Sequence, residues 1–127
     1  MTGLAALLLV TAALASSLAA APAAHLVISV YPQGRGGAVQ RYTLRCGPPR
    51  GTVPDPARAC MVLARLPRPF APVPKATVCS QIALGPQEAV VVGVAHGRRV
   101  SAVLRLRDSC QIDRWRRVRS IVPGFPA

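Results

Sequence analysis

The chain has 127 residues, of which 51% are hydrophobic and 4% aromatic, and this length suits one domain and excludes a multidomain enzyme. Sixteen Lys and Arg residues against four Asp and Glu residues give a net charge of +12, and Lys75 is the sole lysine. Acid–base chemistry therefore has few candidate groups, because the side-chain carboxylates are limited to Asp55, Glu88, Asp108 and Asp113.

The first 23 residues have the pattern of an export signal. Met1 to Ala24 contains no charged side chain, and the apolar run from Leu4 to Leu14 has the length of a signal-peptide core. The motif Ala21-Pro22-Ala23 supplies the small residues of a cleavage site. We therefore expect residues 1–23 to be removed as a signal peptide. Residues 24–127 would form a secreted, extracellular domain without a membrane anchor.

Four cysteines lie in the expected mature part, at Cys46, Cys60, Cys79 and Cys110. An even number of cysteines in a small exported domain predicts disulfides. No CxxC pair is present, and neither histidine has ligand spacing to a cysteine, so we expect no metal site. The spacing leaves three disulfide connectivities open, of which a sequential pairing closes the smaller loops.

Two strands and a helix are predicted in the first half of this domain. Residues 25–31 are rich in β-branched and aromatic residues, and residues 38–46 alternate between two faces, which favours an antiparallel pair. The helix follows a loop, because Asp55 can cap its N-terminus, Pro56 suits its first position and Pro67 ends it. Its buried stripe should consist of Ala59, Cys60, Val62, Leu63 and Leu66.

The second half predicts a hairpin after an irregular segment. Four prolines in residues 67–74 exclude regular structure there, and residues 79–86 form an unusually apolar connection that ends in a Gly-Pro turn. Residues 89–95 and 100–106 predict two strands joined by a bend at residues 96–99.

The C-terminal end is basic. Residues 113–119 contain most of its charge, and residues 120–122 predict a short terminal strand. The whole pattern, about five short strands and one clear helix, indicates the α+β class.

The chain resembles the Streptomyces subtilisin inhibitor family over nearly all of the expected mature part. The residues that carry the resemblance are Tyr42-Thr43-Leu44-Arg45-Cys46, Gly51-Thr52-Val53-Pro54-Asp55-Pro56 with Ala59-Cys60, Cys79, Val94 to Ser101, and Cys110. The resemblance implies a five-stranded antiparallel sheet packed against two helices, and a homodimer formed through the sheet. It also implies sequential disulfides, Cys46 with Cys60 and Cys79 with Cys110. The implied function is substrate-like inhibition of subtilisin-like serine proteases, without a cofactor.

The resemblance further implies a reactive bond just after the third cysteine. Counting from Cys79 places the bond between Gln81, as the residue before the cut (P1), and Ile82. Compared with the family, the chain has one extra residue between Cys79 and Pro86. Counting back from this proline would therefore make Ile82 the P1 residue instead. We favour Gln81, because the disulfide is the rigid anchor of the loop. The other residues expected to contact the protease are Thr77, Val78, Cys79, Ser80 and Ala83.

The charge allows a different function, binding to nucleic acid or another polyanion on the same fold. Arg114, Arg116, Arg117 and Arg119 surround Trp115, and arginines bind phosphates while an indole can stack on a base. No recognised nucleic-acid motif accompanies this cluster, so we expect it to be a solvated surface.

Catalysis by the chain itself is not expected. Ser80, His96 and Asp108 are residue types that could form a hydrolase triad, but no nucleophile-elbow motif is present and a domain this small leaves little room for a pocket. An inhibitor fold with a degenerate reactive loop is the remaining alternative.

Overall fold

The computed structural model describes residues 2–3, 5–6, 8–14 and 23–127. The predicted cleavage motif lies outside the described residues except for Ala23, as do several residues of the predicted signal peptide. Leu8, Leu9 and Leu14 are at least 84% exposed, so this part of the segment packs against nothing in the domain. Among the described residues, no helix is both long and apolar enough to span a membrane.

One antiparallel sheet organises the domain. Its strands are β1 (Ala24–Tyr31), β2 (Gln40–Cys46), β3 (Arg50–Gly51), β4 (Glu88–Ala95) and β5 (Arg98–Arg105). Their spatial order is β3-β2-β1-β4-β5, so β1 is central and pairs with both β2 and β4. The predicted α+β class and the pairing of the first two strands are confirmed, with β2 beginning two residues later than expected.

The hydrophobic core lies on one face of this sheet. Alternation along β1 places Leu26, Ile28 and Val30 on that face, where each is at most 1% exposed. Leu104 and Leu106 continue the core beneath β5 and are fully buried. Within the described part of the chain no helix covers the opposite face of the sheet, which carries a mixture of valine, serine and arginine side chains.

The first helix, α1 (Pro56–Arg65), begins where the sequence predicted. The Asp55 carboxylate accepts a hydrogen bond from the backbone N–H of Arg58 at 3.1 Å, which satisfies one free donor of the first turn. Ala59 and Leu63 are buried, and the other predicted stripe residues are partly buried against the core. A disulfide between Cys46 and Cys60 ties α1 to the end of β2.

The second helix, α2 (Ser109–Arg117), corrects the local sequence prediction. Asp108 caps it by accepting a hydrogen bond from the backbone N–H of Gln111 at 2.9 Å. Ile112, Trp115 and Val118 recur at helical spacing and are buried, although they stand among arginines. The predicted strand at residues 120–122 is wrong, because these residues form the turn that follows α2. Two helices, as the family resemblance implies, are therefore present.

The short strand β3 was not predicted from the sequence, which had suggested only an irregular loop. Gly51 has a φ of 135°, and a side chain there would collide with the carbonyl oxygen of Thr43. This glycine allows the backbone of β3 to come close to β2, with Arg50 directly opposite Arg45. The strand is too short to give a hydrophobic alternation.

Candidate functional site

The segment between Thr77 and Leu84 is the most exposed apolar part of the folded domain. Val78 is 97% exposed, Ile82 69% and Leu84 47%. No helix or strand forms in this segment. Apolar side chains displayed together on a loop are typical of a surface that contacts another protein.

A disulfide attaches the middle of this loop to the domain. Cys79 is bonded to Cys110, with their Cα atoms 5.5 Å apart, and Cys110 lies in the first turn of α2. The pairing is the one implied by the resemblance, and Cys46–Cys60 completes the sequential pattern. The loop therefore cannot move away from the N-terminal end of α2.

Two hydrogen bonds reinforce the attachment one residue later. The backbone N–H of Ser109 donates to the carbonyl oxygen of Ser80 at 2.9 Å, and the backbone N–H of Ser80 donates to Oγ of Ser109 at 2.8 Å. Both backbone polar groups of Ser80 are thus occupied. Sequence reasoning missed Ser109, because nothing local to the loop indicates a partner 29 residues away.

A second attachment lies beyond the predicted reactive bond. The backbone N–H of Leu84 donates to the carbonyl oxygen of Leu106 at 2.8 Å, just past the end of β5. Between Ser80 and Leu84, the backbone groups of residues 81–83 make no hydrogen bond to other backbone groups among the described residues. These residues form a short, exposed span held at both ends.

On the other side of Cys79, a turn restrains the loop. Both the backbone N–H and the hydroxyl of Thr77 donate to the carbonyl oxygen of Pro74, at 3.3 and 2.6 Å. Arg114 holds the proline-rich segment that precedes Thr77. Its guanidinium donates to the carbonyl oxygens of Phe70 at 2.8 Å, Ala71 at 2.9 Å and Val103 at 2.7 Å.

This arrangement brings together every residue that the sequence predicted for the contact surface, including Thr77, Val78, Ser80 and Ala83. Gln81 and Ile82, the two residues predicted to flank the reactive bond, are both exposed. The unpaired backbone groups of residues 81–83 are free to form hydrogen bonds with a partner protein, as in strand addition.

The loop has no catalytic or metal-binding chemistry of its own among the described residues. Cys79, Asp108 and Cys110 lie close enough to share a metal ion, but both sulfurs are bonded in the disulfide and Asp108 caps α2. His96 contacts the carbonyl oxygen of Leu63 through Nε2 at 2.8 Å. Of the residues considered for a hydrolase triad, His96 and Asp108 therefore have side-chain partners in the fold.

The basic cluster considered for nucleic-acid binding is not a single surface. Trp115 is fully buried, and its indole N–H donates to the carbonyl oxygen of Val122 at 3.1 Å, so it cannot stack on a base. Arg114 is 7% exposed. Burial lowers its pKa from the ordinary value, with a smaller effect in the same direction from the charge of Arg117. Only Arg116, Arg117 and Arg119 remain on the surface.

Comparison with known proteins agrees with this fold. The model of the family described as subtilisin inhibitor-like matches residues 20–105. Among solved structures, the chain is similar to Streptomyces caespitosus sermetstatin, whose crystal structure is of a complex with Bacillus licheniformis subtilisin. The two share 26% sequence identity with a TM-score of 0.52, over 80% of this chain and 98% of sermetstatin. A search of curated proteins found no significant match.

Proposed function

The chain belongs to the subtilisin inhibitor-like family, and we infer from this membership and from its loop that it is an inhibitor of subtilisin-like serine proteases, not an enzyme. The similar inhibitor sermetstatin binds subtilisin in its crystal structure. The single observation that carries the inference is the exposed span between Ser80 and Leu84, held on both sides by the body of the domain.

We propose that the loop binds as a substrate does. A serine protease supplies the nucleophile, the general base and the oxyanion donors, so the inhibitor needs only to present a peptide bond. Thr77, Val78 and Ser80 would lie against the enzyme, and the nearly complete exposure of Val78 leaves its side chain available. The backbone groups of residues 81–83, which make no hydrogen bond to other backbone groups of the described residues, would pair with the enzyme as in strand addition. The reactive bond in this proposal joins Gln81 to Ile82, with Ala83 on the leaving side.

Rigidity explains why such a loop would inhibit rather than be consumed. Ordering a flexible loop on binding costs about 0.5–1.5 kcal/mol for each immobilised side chain, and a loop already held in shape avoids much of that cost. Cleavage after Gln81 would leave one new end held by Cys79 and Ser80 and the other by Leu84. Both ends stay near the active site, so religation competes with release.

The decisive experiment is titration of subtilisin activity with the purified protein, with trypsin and chymotrypsin run in parallel. We expect subtilisin to be inhibited with a fixed stoichiometry and the inhibitor to be recovered largely intact. Steady hydrolysis of the chain without inhibition would contradict the proposal and favour a degenerate reactive loop. A Gln81→Pro variant is the control, because proline at the cut should abolish inhibition while leaving the rest of the fold unchanged.

We also propose that the protein is exported and acts outside the cell. The uncharged N-terminal segment is typical of a signal peptide, and Leu8, Leu9 and Leu14 make no contribution to the core. Removal of residues 1–23 would leave a chain that begins at Ala24, the first residue of β1. Two disulfides suit an oxidising extracellular environment.

Dimer formation through the sheet is a further part of the proposal. On the uncovered face, Val27 lies opposite Val92, and Val92 is 42% exposed. A second copy packed on this face would remove these valines from water. Sedimentation at micromolar concentration should give twice the monomer mass, and Val92→Arg should give a folded monomer; a monomeric wild-type chain would refute the dimer.

A further inference from the structure

A row of three arginines and one histidine crosses one end of the sheet on its uncovered face. Arg50 of β3 is paired with Arg45 of β2, Arg45 with His25 of β1, and Val94 of β4 lies between His25 and Arg99 of β5. Residues paired across antiparallel strands have their side chains on the same face. His25, Arg45, Arg50 and Arg99 are all exposed and form what we call the arginine row.

No carboxylate compensates this charge within the described part of the chain. The ion pairs of the described residues involve other side chains: Glu88 pairs with Arg35, Arg105 and Arg107, and Asp113 pairs with Arg116. The two other acidic side chains, Asp55 and Asp108, cap the helices. Like charges placed directly opposite each other on a sheet destabilise it, so the Arg45–Arg50 pair carries a cost that an anion would remove.

The row is also concave at its β2–β3 end. A cavity of about 290 Å³ is lined by His25, Arg45 and Arg50 together with Val94, residues 23–24 and residues 46–48. This volume is ample for a tetrahedral oxyanion with water around it. Arginine and histidine side chains around an open hollow whose lining contains no carboxylate are the chemistry that binds phosphate.

The backbone that carries the two arginines is fixed before any ligand arrives. Cys46, next to Arg45, is bonded to Cys60 of α1. Gly51, next to Arg50, packs its backbone against Thr43 with no room for a side chain. The arginine pair is therefore preorganised, which reduces the entropy lost on binding.

The length of the row selects the kind of anion. Arg50 and Arg99 are separated by four strand spacings, or about 19 Å at roughly 4.8 Å for each spacing. A single phosphate in the cavity can contact Arg45 and Arg50 but cannot reach Arg99. We propose that the arginine row binds a linear chain of phosphate groups, with one phosphate in the cavity and the chain extending across the sheet toward Arg99.

This site is separate from the reactive loop. The loop is attached beside Leu106, beyond the C-terminal end of β5, whereas Arg99 lies at the N-terminal end of that strand. Seven residues of strand separate the two positions by about 24 Å. Inhibition of subtilisin is therefore a readout of correct folding that changes at the arginine row should not alter.

The test measures binding of long-chain inorganic polyphosphate and of orthophosphate. The row lies two residues along the strands from the Val27–Val92 pair, so a second copy packed on this face would cover it. Polyphosphate therefore competes with the proposed dimer, and the mass of the protein is measured with and without polyphosphate. Polyphosphate should bind tightly, with an affinity that falls steeply as salt rises. The double variant Arg45→Ser/Arg50→Ser should weaken binding about tenfold or more. The matched control is Arg58→Ser/Arg65→Ser on α1, which removes the same charge from exposed positions. It should change binding less than about twofold.

Two further readouts make the proposal falsifiable. Arg99→Ser should weaken polyphosphate binding but not orthophosphate binding, and an unchanged polyphosphate affinity would overturn the extended site. Polyphosphate should raise the Tm of the wild-type protein and leave that of Arg45→Ser/Arg50→Ser unchanged, while the double variant alone should be at least as stable as the wild type. Equal losses in the double variant and its control would show only attraction by net charge and would refute the site.

Discussion

Ser109 occupies both backbone polar groups of Ser80, accepting from its N–H at 2.8 Å through Oγ and donating to its carbonyl oxygen at 2.9 Å. The same turn of α2 carries Cys110, which is bonded to Cys79. Two neighbouring residues of the helix thus hold two neighbouring residues of the loop. The position of the proposed reactive bond is set by α2 as much as by the loop.

Removing the Ser109 hydroxyl should make the loop easier to cleave. Ser109→Ala keeps the bond to the Ser80 carbonyl but leaves the Ser80 N–H without its partner, a loss of about 1 kcal/mol. We expect inhibition of subtilisin to weaken about fivefold, with faster hydrolysis of the inhibitor and a Tm lowered by no more than about 8 °C. Ser101→Ala on β5 is the matched control, since Ser101 is exposed and its hydroxyl makes no hydrogen bond among the described residues. Equal inhibition by both variants would argue against a role for Ser109.

The two disulfides should differ in function although both stabilise the fold. In the chain-entropy model, loops of 14 and 31 residues contribute about 3 and 4 kcal/mol. Replacing Cys79 and Cys110 by serine should convert the inhibitor into a substrate. Replacing Cys46 and Cys60 should lower the stability by a similar amount but leave inhibition measurable at a temperature where both variants are folded.

Assays on both pairs of serine variants should be run below their measured unfolding temperatures. Intact inhibition by the Cys79→Ser/Cys110→Ser variant would mean that the hydrogen bonds at Ser80 and Leu84 suffice to hold the loop.

The second helix shows where local sequence reasoning fails. Asp108 as a cap and the spacing of Ile112, Trp115 and Val118 are helix signals, but the arginines between them suggested a solvated, basic surface. The burial of Arg114 could not be predicted from the sequence either. Its guanidinium binds the carbonyl oxygens of Phe70, Ala71 and Val103, which are distant from it in the sequence. The four longer strands, α1 and its cap were predictable because their signals are local.

Arg114 should therefore matter for stability and not for anion binding. Arg114→Met leaves three carbonyl oxygens without a charged donor, and we expect a loss of about 3 kcal/mol in the free energy of unfolding. Arg117→Met, at an exposed position, is the control and should cost less than about 0.5 kcal/mol. Urea unfolding of both variants measures the difference; similar stabilities would contradict the role assigned to Arg114.

The pH dependence of this effect can be worked out from its pKa. Burial lowers the pKa of Arg114 in the folded state, so the unfolded chain binds the guanidinium proton more tightly than the folded chain does. The contribution of Arg114 to the free energy of unfolding therefore rises with pH, but only in the strongly alkaline range. Arginine stays protonated near neutrality. The loss caused by Arg114→Met should consequently be the same at about pH 6 and about pH 8; a loss that changes across this range would point to a different titrating group.

Export makes a prediction that needs only the secreted protein. N-terminal sequencing of material from the culture medium should begin at Ala24 or within a residue or two, because Ala21-Pro22-Ala23 supplies the small residues of a cleavage site. Recovery of the intact chain from Met1 in the membrane fraction would exclude the proposed signal peptide.

The register of the reactive bond is tested by changing the two residues on either side of it. The S1 pocket of subtilisin-like enzymes is broad and mainly apolar, so Gln81 can enter, although its amide must find partners or lose part of the gain from burial. Gln81→Met should bind subtilisin more tightly, because it buries a fully apolar side chain of similar length. A trypsin-like pocket holds a carboxylate that an uncharged glutamine leaves unpaired, so the wild type should inhibit trypsin weakly or not at all.

A lysine scan over the two positions then decides between the registers. Gln81→Lys should add inhibition of trypsin, whereas Ile82→Lys, the matched control one residue further on, should not, because only the P1 side chain reaches the bottom of S1. Both side chains are exposed, so neither change should lower the Tm appreciably. Mass spectrometry of inhibitor cleaved by subtilisin should show the break after Gln81. Trypsin inhibition by Ile82→Lys alone, with cleavage after residue 82, would place the extra residue before the cut and make Ile82 the P1 residue.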